Sequence, residues 1–119
     1  MRYNPYNIFE EEKKASVSEL KEYVKERMFE IVCLKYEKTF PLKWQARVAQ
    51  IFTVYAYFKE EKGDEGVVTK EELLKFIEEE NKENEEAQMM GYITWDEKMA
   101  RRMELDLLYK TYFGEENQQ

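Results

Sequence analysis

Apolar positions along this chain recur at helical rather than strand spacing. Within residues 17–38, Leu20, Val24, Met28, Ile31 and Val32 fall three and four apart with charges between them, which predicts a first helix. Pro41 opens the next segment, since proline at a first helical position sacrifices no hydrogen bond. The run from there to Phe58 is apolar on nearly every face, so a second helix over 41–58 is expected at the buried centre of the fold. Lys59 to Gly66 reads as a polar turn. Val67 and Val68 are β-prone and lead into a third helix over 70–80, with Leu73, Leu74, Phe76 and Ile77 as its apolar set. A fourth helix, 95–113, ends at Gly114, and Met99, Met103 and Leu107 are its expected inward positions.

Three of these helices carry the same start signal. Ser16-x-x-Glu19, Thr69-x-x-Glu72 and Thr94-x-x-Glu97 each fit a capping box, in which a hydroxyl and a glutamate satisfy reciprocal backbone amides of the first turn. The stretches GVVTKEE (66–72) and GYITWDE (91–97) also echo each other, which suggests a minimal two-strand ribbon pairing 67–68 with 92–93. The expected fold is therefore all-α, a single domain over 1–119 with four main helices. It has an N-terminal arm at 1–15, an exposed acidic segment at 78–90 (helix or loop) and a frayed tail at 115–119.

Charge sharpens this picture. The chain carries a net −7, yet residues 41–58 hold Lys43 and Arg47 and no acid, while 59–97 hold fourteen acids against five lysines. One apolar helix is thus followed by a strongly acidic surface. Such a surface speeds and orients encounters with a basic partner. Apolar residues beside it, Met89, Met90, Tyr92 and Trp95, are the kind of anchor that interfaces favour, although residues at this spacing are more often core. Tyr3, Tyr6, Ile8 and Phe9 of the arm are a second candidate contact.

Candidate chemistry is mostly excluded. With no histidine, the commonest general base and metal ligand is missing. Cys33 lies on an apolar stretch without a possible His partner and reads as a buried thiol. No phosphate loop, paired-cysteine zinc signature or nucleophile elbow occurs. No catalytic, cofactor-binding or metal-binding residue is assigned, and no enzyme activity or cofactor is expected. The stretch Glu61 to Glu72 resembles an EF-hand calcium loop, with glycine at its sixth position and glutamate at its twelfth, but Gly63 stands where a carboxylate is required.

The order of long apolar helix, turn, short strand and TKEELLKFI resembles the start of a winged-helix domain, which implies a DNA-binding transcription regulator. The next segment, NKENEEAQMM, has only Lys82 to set against three acids and would repel phosphate. A basic face from Lys13, Lys14, Lys21, Lys25 and Arg27, or from Arg101 and Arg102, lies among carboxylates at helix-neighbour spacing. Nucleic acid is therefore the disfavoured partner.

No apolar run is long enough to span a bilayer, and the N-terminal residues lack a secretory pattern, so the expected location is cytoplasmic. Abundant Glu, Lys and Tyr point weakly to a thermophilic source, and the chain shares a general style with small viral proteins. The favoured reading is a non-enzymatic acidic interaction module, a regulator or inhibitor of a nucleic-acid-handling protein. It would be monomeric, or homodimeric through an apolar face of the last helix.

Overall fold

Two strand-to-helix junctions face each other at one end of the molecule. In the computed structural model, which describes residues 14–37 and 43–114, β1 (Lys14–Ser16) runs into α1 (Val17–Glu37) and β2 (Val67–Thr69) runs into α3 (Lys70–Met89). The strands pair antiparallel, with Ala15 opposite Val68. Both of those side chains are buried, and the Val17 amide extends the ribbon by donating to the Gly66 carbonyl at 2.9 Å. Each strand ends in a capping box. The Ser16 amide donates to Glu19 Oε1 and the Glu19 amide to Ser16 Oγ, both at 2.9 Å. Thr69 and Glu72 make the equivalent pair at 3.0 and 3.2 Å.

The fold class is the expected one, all-α with a minimal ribbon, but the ribbon's partner strand differs. Residues 92–93 form no strand; 14–16 take that place. The second strand therefore precedes α1 instead of following α3 as a wing would. Lys14, Ala15 and Ser16 have little β-propensity, and only tertiary pairing makes them extended.

α2 (Trp44–Lys62) packs against α1 and against α4 (Trp95–Phe113), and α3 packs on α4. The expected start at Pro41 lies outside the described residues, as do 1–13 of the arm and the tail 115–119. The described helix begins after Lys43, whose backbone is left-handed at φ 66°. It also continues past Phe58 to Lys62 before Gly63, at φ 79°, turns the chain. Gly66 is needed for close approach, since a Cβ there would come within 2.6 Å of the Lys62 carbonyl oxygen.

The main core gathers Leu20 of α1, Val54 and Phe58 of α2, Leu73 and Phe76 of α3, and Leu105 and Leu108 of α4. A second cluster of Val24, Ile31 and Ile51 joins α1 to α2. Each such aliphatic side chain contributes about 1.5–3 kcal/mol by leaving water. α2 is central as expected, although Phe52 and Tyr57 project to solvent. Leu74 is likewise exposed, and Cys33 is half-buried rather than buried.

α4 is rotated away from the face that Met99, Met103 and Leu107 define. Met103 and Leu107 are exposed at 54% and 38%, while Ala100, Glu104, Leu105 and Leu108 point inward. Glu104 lies fully buried among them, and its Oε1 accepts from Arg27 Nε at 2.9 Å. Its Oε2 accepts from Arg27 Nη2 at 2.8 Å and from Arg47 Nη1 at 3.0 Å. A carboxylate held by two guanidinium groups can occupy an interior that an unpaired one could not.

Candidate functional site

The third helix decides the shape of the candidate site. It was expected over 70–80, with the acidic run beyond as helix or loop; it instead continues to Met89. Its inner side explains the extension. Gln50 of α2, fully buried, donates from Nε2 to Glu80 Oε1 at 2.8 Å and accepts from Asn84 Nδ2 at 2.9 Å. From α4, Lys98 Nζ reaches Glu85 Oε1 at 3.0 Å and Gln88 Oε1 at 3.3 Å. Polar side chains thus dock the second half of α3, where apolar ones dock the first. Glu78, Glu79, Glu83 and Glu86 are left exposed along the outer face.

The helix then stops abruptly. The Tyr92 amide donates to the Ala87 carbonyl at 2.8 Å and the Gly91 amide to Gln88 at 3.1 Å, with Gly91 at φ 84°. This is the Schellman arrangement, which requires a left-handed residue and so favours glycine. Two residues later α4 begins. The Thr94 amide donates to Glu97 Oε1 at 2.7 Å and the Glu97 amide to Thr94 Oγ1 at 3.1 Å. So tight a connection leaves the large side chains around it without a described element to pack on. Met89, Met90, Tyr92 and Trp95 are 73%, 67%, 75% and 58% exposed.

The result is an apolar tip at the end of an acidic helix. Exposed Glu83, Glu85, Glu86 and Asp96 surround it, and the Thr94 amide holds the Glu97 carboxyl below the usual carboxylate range. Exposed apolar residues rimmed by charge mark interaction sites more often than scattered surface hydrophobics do. Sequence reasoning had named all four tip residues as anchor candidates but favoured the core for them. The signal against burial was local: Gly91 and the Thr94 cap confine them to a turn.

Glu72, Arg27 and Lys25, also singled out in the sequence, are paired elsewhere. Glu72, which closes the calcium-loop resemblance, accepts the Thr69 amide on one oxygen and pairs with Lys62 on the other at 2.5 Å. That ion pair is the main reason its carboxyl sits below its ordinary range. Among the described residues, no group of three or more Asp, Glu or Cys side chains could hold a metal ion. Of the basic residues weighed for DNA contact, Arg27 is committed to Glu104 and Glu30, and Lys25 pairs with Glu22 at 3.8 Å. Lys13 lies outside the described residues. Sequence reasoning missed the Arg27–Glu104–Arg47 junction altogether. Beside it lies an open groove of about 280 Å³, whose rim includes Met103, Leu107 and Lys110.

Tyr23 packs edge-on against Tyr112 at 5.9 Å, and burial, then the Glu104 charge, push its phenol up to about 12. The Tyr112 hydroxyl donates to the Glu19 carbonyl at 3.0 Å, tying α4 to the first turn of α1.

A scan against protein-family models gives no match, and neither do searches of curated proteins and of solved structures. What defines the protein's class is its architecture, which among the described residues is four helices with a ribbon joining the starts of the first and third. Among the described residues no helix is long and apolar enough to cross a membrane.

Proposed function

We propose that this is a cytoplasmic, non-enzymatic interaction module that docks a basic protein surface through the outer face of α3 and the tip that follows it. The carrying observation is the continuity of the two. An exposed acidic helix runs without a break into four exposed large hydrophobics. The carboxylates would steer the encounter and select a basic partner, while Tyr92, Trp95 and the methionines would supply most of the binding energy. Methionine suits this role because its flexible, polarizable side chain adapts to the facing surface. A basic patch that normally holds nucleic-acid phosphates would fit the acidic face, so a nucleic-acid-handling protein is the preferred partner class, with this chain as its regulator or inhibitor.

The test is capture from nuclease-treated host lysate on immobilised protein, with mass spectrometry of what stays. The wild type should retain one stoichiometric basic partner. The pair Tyr92→Ala/Trp95→Ala and the triple Glu79→Gln/Glu83→Gln/Glu86→Gln should each lose it, and retention should weaken as salt rises. Retention seen only in untreated lysate, with nucleic acid in the eluate, would favour direct DNA or RNA binding instead.

A further inference from the structure

The outward face of α4 is a second apolar surface, separate from the tip, and its charges are arranged symmetrically. Met103 is more than half exposed, Met99 is half-buried four residues before it, and Leu107 is exposed four residues after it. Asp96 and Lys110, both exposed, lie seven residues before and after Met103. Reversing the helix about Met103 therefore exchanges Met99 with Leu107 and Asp96 with Lys110. At about 1.5 Å per residue, the charges sit about 10 Å from the centre in each direction and the apolar pair about 6 Å. Exposed Arg102 and Asp106 share one flank of the same face, and reversal brings each close to the other's counterpart.

We propose that α4 pairs antiparallel with α4 of a second copy of this chain, about a twofold axis at Met103. Met103 packs on its own counterpart, and Met99 interlocks with Leu107 of the other copy. Two reciprocal Asp96–Lys110 pairs close the ends. A second copy fits this face better than an acidic or basic partner does, because either would be repelled by one half of it. An isologous interface needs this kind of self-complementarity. The seam takes Asp96 from the collar of the tip but leaves the acidic outer face of α3 free, so a dimer would present two such faces. One helix seam falls short of the roughly 800 Å² per partner of a standard interface, so association should depend on concentration.

Sedimentation equilibrium of the full chain, from about 1 μM to about 1 mM, should show a monomer–dimer equilibrium whose midpoint lies inside that range. Met103→Lys should raise the dissociation constant at least about tenfold by placing two ammonium groups on the axis, beside the Arg47 guanidinium that donates to the Met103 sulfur at 3.5 Å. Asp96→Lys and Lys110→Asp should each weaken the dimer, and the double exchange should return it to within about threefold of the wild type. Circular dichroism on the same samples confirms that each variant is folded. In a Cys33→Ser background, Met103→Cys should crosslink under mild oxidation and Asp96→Cys should not, since antiparallel pairing puts the two 96 positions about 21 Å apart. A wild type that stays monomeric throughout would overturn the proposal. So would a double exchange no tighter than its single variants, or efficient crosslinking through Asp96→Cys.

Discussion

Two regions of this molecule reverse the usual distribution of polarity, and they do so for different reasons. At the junction of α1, α2 and α4, a carboxylate and two guanidinium groups lie inside. At the turn between α3 and α4, four large hydrophobics lie outside. The interior charges are mutually satisfied, so the region is complete within one chain and fixes which side of α4 faces the core. Among the described residues, nothing covers the exterior hydrophobics. Polarity inside therefore speaks of how this chain assembles, whereas apolarity outside speaks of what it meets.

The sharpest way to break the comparison is at Glu104. Glu104→Ala strands Arg27 and Arg47 without their carboxylate and should lower stability by about 3–5 kcal/mol in urea unfolding. Replacing all three charges by apolar residues of similar volume should recover most of that loss, because the junction's net worth is small once every member goes. By contrast, Tyr92→Ala/Trp95→Ala should leave the unfolding midpoint nearly unchanged while abolishing partner capture.

A smaller effect is expected at Gln50, which belongs to neither extreme. Gln50→Ala leaves Asn84 and Glu80 without their buried partner and should cost about 1–3 kcal/mol. Amide exchange should rise over 80–89 before it rises elsewhere in α3, since those residues depend on polar docking. If exchange instead rose uniformly along the helix, the division of α3 into apolar and polar halves would be wrong.

The smallest effects lie at the caps. Thr69→Ala should lose about 1 kcal/mol. Glu72 and Glu97 have depressed carboxyl pKa values when folded, so their stabilisation is present above the unfolded value of about 4.3. It is lost as pH falls through the lower folded value. Glu72→Gln should flatten the acid limb of a stability–pH curve below about pH 4.3, with Lys62 losing its partner in the same step. At the alkaline end the sign is opposite. Tyr23, pushed up to about 12, contributes stability below pH 10, and that contribution fades as pH rises toward 12.

How much of this was legible from residues alone follows the range of the interaction. All three capping boxes sit where the sequence puts them, because each needs only a hydroxyl and a carboxylate three residues apart. The helical class followed from apolar spacing, and α1 and α4 came within a residue of their ends. The tip was half legible: Gly91 and Thr94 announce a turn, but only the finished connection shows that no described residue folds back over Tyr92.

What the tertiary structure alone decided was partnership over distance. The echo between 66–72 and 91–97 named a plausible strand partner, yet Val68 pairs with Ala15, whose own sequence carries no strand signal. The length of α3 was settled by Gln50, 30 and 34 residues away from its partners. The inward face of α4 was settled by Arg27, 77 residues from Glu104. A local hydrogen bond is written in adjacent residues and forms wherever they occur. A buried charge is tolerated only when its counter-charge arrives from another helix, and no periodicity within α4 can say whether it will.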